Sequence, residues 1–290
     1  MEGALGETIA TTDSVSCIVL FGRTMKQAIG EVSPVGLTGY RILSYLEQNR
    51  DGSTPGDLVR ATKLSPGTIS TSLNRLYDKE YIAKDKPDGT ASHHLYITDS
   101  GMAHLSPCDE AIVEAYDSFF EPLTDSLKSD LLSGSLVTSS FLGVTRMVGD
   151  RYFAEFSVLI GFLNSELYFT NTARLFGLGL GEYRVLLLLK EHPSASTQKA
   201  MRRILLAHPS ELSTWCRQLQ EKGAIASTRT PGDRRSTSLV ATAEGLQLAD
   251  KIKAAVGFDM VRPTHASEIP LYNGMFRIIM DYQRKERGFR

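Results

Sequence analysis

Cysteine is scarce in this chain. Cys17, Cys108 and Cys216 are the only three in 290 residues, far apart and in no CxxC pair. That spacing argues against a disulfide framework and against a structural zinc site. Charge of one sign is lacking too: 32 Lys and Arg against 33 Asp and Glu leave a formal net charge of −1. No global field then draws the chain to nucleic acid or to an anionic membrane, and any such attraction must come from local patches. No apolar run is long enough to span a bilayer, because FAEFSVLIGFLNSELYF (153–169) is interrupted by Glu155, Asn164 and Glu166. The opening MEGALGETIATTD has no basic stretch ahead of an apolar core, which argues against a secretory leader and for a reduced cytoplasm. Enzyme signatures are also missing. There is no GxSxG, no HExxH and no glycine-rich phosphate loop, and the Gly-Leu-Gly-Leu-Gly run at 177–181 reads as a helix-to-helix turn without a preceding strand. The expectation is a protein without catalytic function, cofactor or metal.

What is present is an ordinary globular composition, 42% apolar and 22% charged, and enough length for two cores. It is also present twice. At an offset of 143 residues, Gly36-Leu37 falls on Gly179-Leu180, Tyr40-Arg41 on Tyr183-Arg184, and Leu43 and Leu46 on Leu186 and Leu189. Ser53-Thr54 falls on Ser196-Thr197, Pro66 on Pro209, Ser70-Thr71 on Ser213-Thr214, and Lys79 on Lys222. Beyond residue 90 the offset becomes 144, with Leu95, Thr98 and Gly101 on Leu239, Thr242 and Gly245. A tandem duplication follows, with domains expected at 10–140 and 145–290.

Each copy spells the same order of elements. In the first, residues 14–31 read as a helix and Leu37–Gln48 as a second, with Leu37, Tyr40, Leu43 and Leu46 on one stripe. Thr54-Pro55-Gly56-Asp57 has the outline of a capping box, and Ser65-Pro66 repeats the start signal. A helix with Ile69, Leu73 and Leu76 inward runs to about Lys79. A hairpin turning at Pro87-Asp88-Gly89 comes next, then helix from Asp99, broken at Pro107 and resumed to about Leu132. Helix, short helix, helix, hairpin is the order of a winged helix-turn-helix, whose second paired helix enters the major groove. In the second copy TPGDRRSTSLVATAEG (230–245) is the wing, with Arg234 and Arg235 at its tip, where a narrow minor groove attracts guanidinium groups.

The Asp233-Arg234-Arg235 wing, the step Thr242-Ala243-Glu244-Gly245 and the Gly-Leu…Tyr-Arg-x-Leu helix resemble the MarR (multiple antibiotic resistance regulator) family of winged-helix transcription factors. The resemblance implies a mainly α fold with small β wings (α+β), in which long helices join two winged domains. It also implies regulated binding to double-stranded DNA, a small hydrophobic or aromatic effector, and, since family members dimerise, a fused chain that acts as its own pseudo-dimer. The first wing, DKPDGTASHHLYITDSG, departs from the pattern by having no arginine at its tip.

Candidate DNA-binding residues are Ser65, Gly67, Thr68, Thr71, Ser72, Arg75, Lys84 and Lys86 in the first copy. In the second they are Ser210, Thr214, Gln218, Arg229, Arg234 and Arg235. Glu211 and Trp215 share the face of Thr214 and Gln218, and for Trp215 packing against a neighbouring element competes with contact to a thymine methyl. Eight basic against three acidic residues from 196 to 240, and six against five from 54 to 98, assign more of the phosphate attraction to the second copy. Cys216 reads as a core thiol, His93-His94 as polar wing residues, and the aromatics from Tyr152 to Phe176 as a doubly buried helix rather than a ligand pocket. Two other readings stand beside the regulator: a plasmid replication initiator with two winged helices, and a sensor or adaptor that has lost DNA binding.

Overall fold

The computed structural model describes residues 11–86, 93–129, 132, 146–149, 151–229, 237–260, 278–282 and 284–285. The first copy runs α1 (Thr12–Val32), α2 (Gly36–Gln48), α3 (Pro55–Thr62), α4 (Pro66–Asp78), β1 (Ile82–Asp85), β2 (His94–Ile97) and α5 (Asp99–Phe119). A two-residue-per-strand hairpin, β3 (Met147–Val148) and β4 (Arg151–Tyr152), leads into the second copy. That copy runs α6 (Ala154–Leu175), α7 (Leu180–Glu191), α8 (Gln198–Leu205), α9 (Pro209–Glu221), β5 (Ile225–Arg229), β6 (Thr237–Ala241) and α10 (Ala243–Met260). The fold is mainly helical, with two small antiparallel wings. Ile82 faces Ile97 and Asp85 faces His94 in the first; Ile225 faces Ala241 and Arg229 faces Thr237 in the second.

The repeated residues earn their repetition locally. Thr54 caps α3 in a capping box with Asp57, and Thr197 caps α8 by accepting from Ala200 N at 3.2 Å. Thr98 and Thr242 accept from Gly101 N and Gly245 N, each at 3.1 Å. The same hydroxyls donate to Glu80 O (2.7 Å) and Gly223 O (2.8 Å), residues that share a left-handed backbone, φ 57° and 69°. Glycine is required at the end of the step. A Cβ on Gly101 would lie 2.2 Å from Tyr81 O, and one on Gly245 would lie 2.0 Å from Ala224 O. The Tyr-Arg pair also has a common duty: Arg41 Nη2 donates to Thr62 O at 2.7 Å, and Arg184 Nη2 donates to Leu205 O. Both carbonyls end the short helix, where no intrahelical partner exists. Each wing gains a third strand-like contact, Ser53 with Leu95 and Ser196 with Leu239 (2.7 Å).

One expectation is corrected. Pro107 does not break α5, which is continuous from Asp99 to Phe119 with the proline inside it. The buried series Leu105, Cys108, Ile112 and Tyr116 spans the proline, and burying that stripe outweighs one lost backbone hydrogen bond.

Two compact units divide the chain, and they cut it differently from the repeat. One holds residues 21–121 and 128–164; the other holds 1–20, 122–127 and 165–290. In the first unit the opening half of α6 packs on the first winged core, Phe156 edge-on to Tyr40 with centroids 5.9 Å apart. Phe162 packs on Phe21 (4.6 Å), and Phe21 on Phe119 and Phe120 (5.0 and 5.4 Å). These rings contact one another, as a buried interface helix requires. In the second unit the opening half of α1 lies along α7: Thr12 N donates to Glu191 Oε2 at 2.9 Å and Arg184 Nη2 to Ser16 Oγ at 3.1 Å. Each unit therefore joins the winged core of one copy to the first half of the opening helix of the other.

Candidate nucleic-acid interface

The geometry of the helix pair follows from its caps. Ser65 Oγ accepts from Thr68 N at 3.2 Å and lies 2.8 Å from Thr68 Oγ1, which starts α4 abruptly after the left-handed Lys63. Ile69, Leu73 and Leu76 bury one side of α4, and Ser65, Gly67, Thr68, Ser70, Thr71, Asn74 and Arg75 lie exposed on the rest. Thr71 Oγ1 donates back to Gly67 O at 3.0 Å, which commits the hydroxyl proton and leaves the oxygen an acceptor. Ser72 is half-buried. Lys84 on β1 is exposed and sits 5.7 Å from the Tyr77 ring centroid, and Lys86 is exposed at the end of the described strand.

In the second copy His208 replaces the serine cap. Its N–H donates to Glu211 Oε2 at 3.1 Å and its Nδ1 accepts from Ser210 N at 3.4 Å. Glu211 thus belongs to the capping box. Leu212, Cys216 and Leu219 face inward, while Ser210, Ser213, Thr214 and Arg217 are exposed. Gln218 is half-buried, and Thr214 Oγ1 donates to Ser210 O at 2.9 Å, as Thr71 does to Gly67. Trp215 rests on α7: a Cβ on Gly181 would lie 2.0 Å from its ring. That is the packing alternative, and it explains the third glycine of the Gly-Leu-Gly-Leu-Gly run. Gln220 Nε2 donates to Ser227 Oγ at 2.6 Å, pinning the wing base to α9. Lys199, Arg202 and Arg203 are exposed on α8. The Arg229 side chain and residues Arg234 and Arg235 lie outside the described residues.

Asn74 and Arg217, at equivalent positions of α4 and α9, are also exposed on these faces and are absent from the sequence candidates. The signal was available, since each lies three residues beyond the repeated Thr71 and Thr214. Arg217 Nη1 is held by Glu221 Oε1 at 2.8 Å. Among the described residues, no group of three His, Cys, Asp or Glu is placed to hold a metal, and no helix is long and apolar enough to cross a membrane.

A short helix and a recognition helix capped at their starts, followed by a hairpin tied to both, define a winged helix-turn-helix, and the chain contains two. Models of the MarR family match both, over residues 178–237 and over residues 35–90. The protein is a MarR-type winged-helix transcription regulator with two copies in one chain. Solved structures similar to it each span about one copy. CouR from Rhodococcus jostii RHA1, bound to p-coumaroyl-CoA, is 26% identical and covers 45% of this chain and 93% of its own, with a TM-score of 0.34. YusO from Bacillus subtilis is 21% identical over 44% of this chain and 92% of its own, with a TM-score of 0.35. The heme sensor PefR from Streptococcus agalactiae, in complex with heme, is 20% identical over 45% and 94%, with a TM-score of 0.31. No curated protein matches the chain.

Proposed function

We propose that this regulator binds double-stranded DNA as a single-chain pseudo-dimer of domains 10–140 and 145–290, and that its operator is not a palindrome. The observation that carries this reading is the unlike exposed face of the two recognition helices. Ser70, Thr71, Asn74 and Arg75 line α4, whereas Ser213, Thr214 and Arg217 line α9. A homodimer reads an inverted repeat because its two helices are identical. Asparagine suits adenine and arginine suits guanine, each good pair discriminating by about 1–3 kcal/mol, so unlike helices select unlike half-sites. The remaining candidates supply phosphate contacts: Ser65, Gly67, Thr68, Lys84 and Lys86 in the first copy, Ser210, Arg229, Arg234 and Arg235 in the second. A small hydrophobic or aromatic effector, which rests on the family resemblance, and a cytoplasmic location, which rests on the sparse and unpaired cysteines, belong to the same reading.

The test is a selection for bound genomic sites, followed by two probes that each repeat one half-site as a perfect palindrome. Both should bind at least about tenfold more weakly than the natural site, the loss of roughly one base contact. A symmetric probe that equals the natural site at physiological salt would replace this reading with a dimer of chains, each using one copy.

A further inference from the structure

Arg146 lies in the segment that connects the copies, and it is buried to 1% exposure. Its Nε lies 3.2 Å from Glu47 Oε2 on α2, and its Nη1 donates to Asp109 Oδ1 on α5 and to Tyr40 Oη at 2.7 Å. The Tyr40 hydroxyl in turn donates to Asp109 Oδ1 at 2.7 Å. Three rings surround the guanidinium, Tyr40, Phe153 and Phe156, with centroids 5.5, 5.4 and 5.6 Å from Cζ. Burial by itself would lower the arginine pKa, but the Asp109 hydrogen bond and the charges around it hold it above the ordinary value. A fully buried charge met by a carboxylate on each of two helices, a phenol and an aromatic cage has the composition of a ligand site.

The equivalent place in the second copy is built otherwise. Lys190 stands where Glu47 stands, and Lys253 where Asp109 stands. Both are paired within their own unit, Lys190 with Asp250 and Lys253 with Glu191 at 3.9 Å. Tyr183, the counterpart of Tyr40, has a buried hydroxyl with no hydrogen-bond partner among the described residues. Cation binding is thus a property of the first copy and not of the repeat.

We propose that Tyr40, Glu47 and Asp109, with Phe153 and Phe156, form a binding site for a planar organic cation of the guanidinium class, and that Arg146 is its tethered occupant, pinning the connector to the first winged core. A tethered group competes at an effective concentration set by its tether, so a free cation of the same shape enters only when Arg146 is removed. Lysine does not replace it, because the site engages the planar fork through Nε and Nη1 on two different carboxylates. This inference goes beyond the DNA-binding reading and its test needs no DNA.

The experiment uses the full chain with Arg146→Ala and Arg146→Lys, followed by thermal unfolding and by amide hydrogen exchange of residues 146–153. Arg146→Ala should lower Tm by on the order of 10 °C and speed exchange in the connector by about tenfold or more, since it leaves the half-buried Glu47 and Asp109 carboxylates without their cation. Ethylguanidinium in the millimolar range should reverse both changes saturably; ethylammonium and sodium chloride should not. Arg146→Lys should exchange like the alanine variant, and it carries the same titration if Arg146→Ala does not fold. The reversal should vanish when Asp109→Asn is added. Connector exchange that stays at the wild-type rate in both variants, or a response to ethylguanidinium that fails to saturate or is matched by ethylammonium, would overturn the proposal.

Discussion

Trp215 and Gly181 are in contact across two helices: a methyl group on the glycine would sit 2.0 Å from Cε2 of the indole. Arg184, on the same helix as the glycine, has its Cζ 6.0 Å from the ring centroid. The recognition helix of the second copy is therefore braced by an aromatic ring where the first copy has only Ser72.

Gly181→Ala should displace that ring and cost about 1–3 kcal/mol, the usual penalty for overpacking. Trp215 is the chain's only tryptophan, so its emission reports this contact alone. The variant should show a red-shifted emission maximum and a lower denaturation midpoint. Gly67→Ala is the control, because nothing lies within 4 Å of a Cβ there and its effect should stay within about 0.5 kcal/mol. Equal behaviour of the two variants would contradict the brace.

The cysteines should be silent at neutral pH. All three are buried, and burial pushes the Cys108 and Cys216 thiols up to about 11 and Cys17 higher still. Iodoacetamide should label none of them in the native chain in the time it labels all three in urea. The buried phenols of Tyr40, Tyr116 and Tyr183 are also raised, by burial first. An acid with a raised folded pKa keeps its proton when the unfolded chain has lost it, so stability falls as pH rises. For Cys108 and Cys216 the window opens near the ordinary thiol value of 9.0 and closes near 11. The urea midpoint should decline across that range; a flat profile would show that these groups ionise as freely folded as unfolded.

Arg234→Ala with Arg235→Ala bears on the second wing. If both arginines serve phosphate or minor-groove contacts, affinity should drop for every sequence, and the slope of log K against log salt should flatten by about one to two units. A salt titration that superimposes on the wild type would remove the wing from the interface.

Cutting the chain near Gly143 should not give two independent proteins. Each compact unit needs a half-helix from the other copy, residues 154–164 in one and 12–20 in the other. Val15, Cys17, Phe156 and Leu159 are buried in those halves and would be left bare. Light scattering should find the fragments aggregated alone and re-associated when mixed. Two well-behaved monomers would show that the exchange of half-helices is dispensable.

Much of this architecture was legible in the sequence because its determinants are local or repeated. Thr54 and Ser65 announce helix starts by chemistry that acts over three residues, and the Thr-x-x-Gly step is visible because it occurs twice. The rest depends on pairings that carry no period. Arg146 lies 99 residues from Glu47 and 37 from Asp109, and nothing in the connector marks it as buried. Half-helix exchange is hidden for the same reason: α1 carries buried apolar residues from Val15 to Ile29, and the pattern does not say that its two ends serve different cores. On α4 the apolar period gives the buried stripe Ile69, Leu73 and Leu76, whereas the outward line Thr68, Thr71, Ser72 and Arg75 includes the half-buried Ser72 and omits the exposed Asn74.

The exchange of half-helices also sets an order of events at the ribosome. Thr12 finds its hydrogen-bond partner Glu191 across a separation of 179 residues. At a synthesis rate of roughly 5–20 residues per second, the start of α1 waits about 10–35 s before that partner is made. For that interval the apolar residues Val15, Ile18, Val19 and Leu20 have no cognate surface, although the first winged core can already be assembling. A newborn chain thus leaves the start of α1 exposed for that whole interval. Slow translation should raise its demand on chaperones, whereas a protein of two self-contained domains would fold the more readily for the extra time.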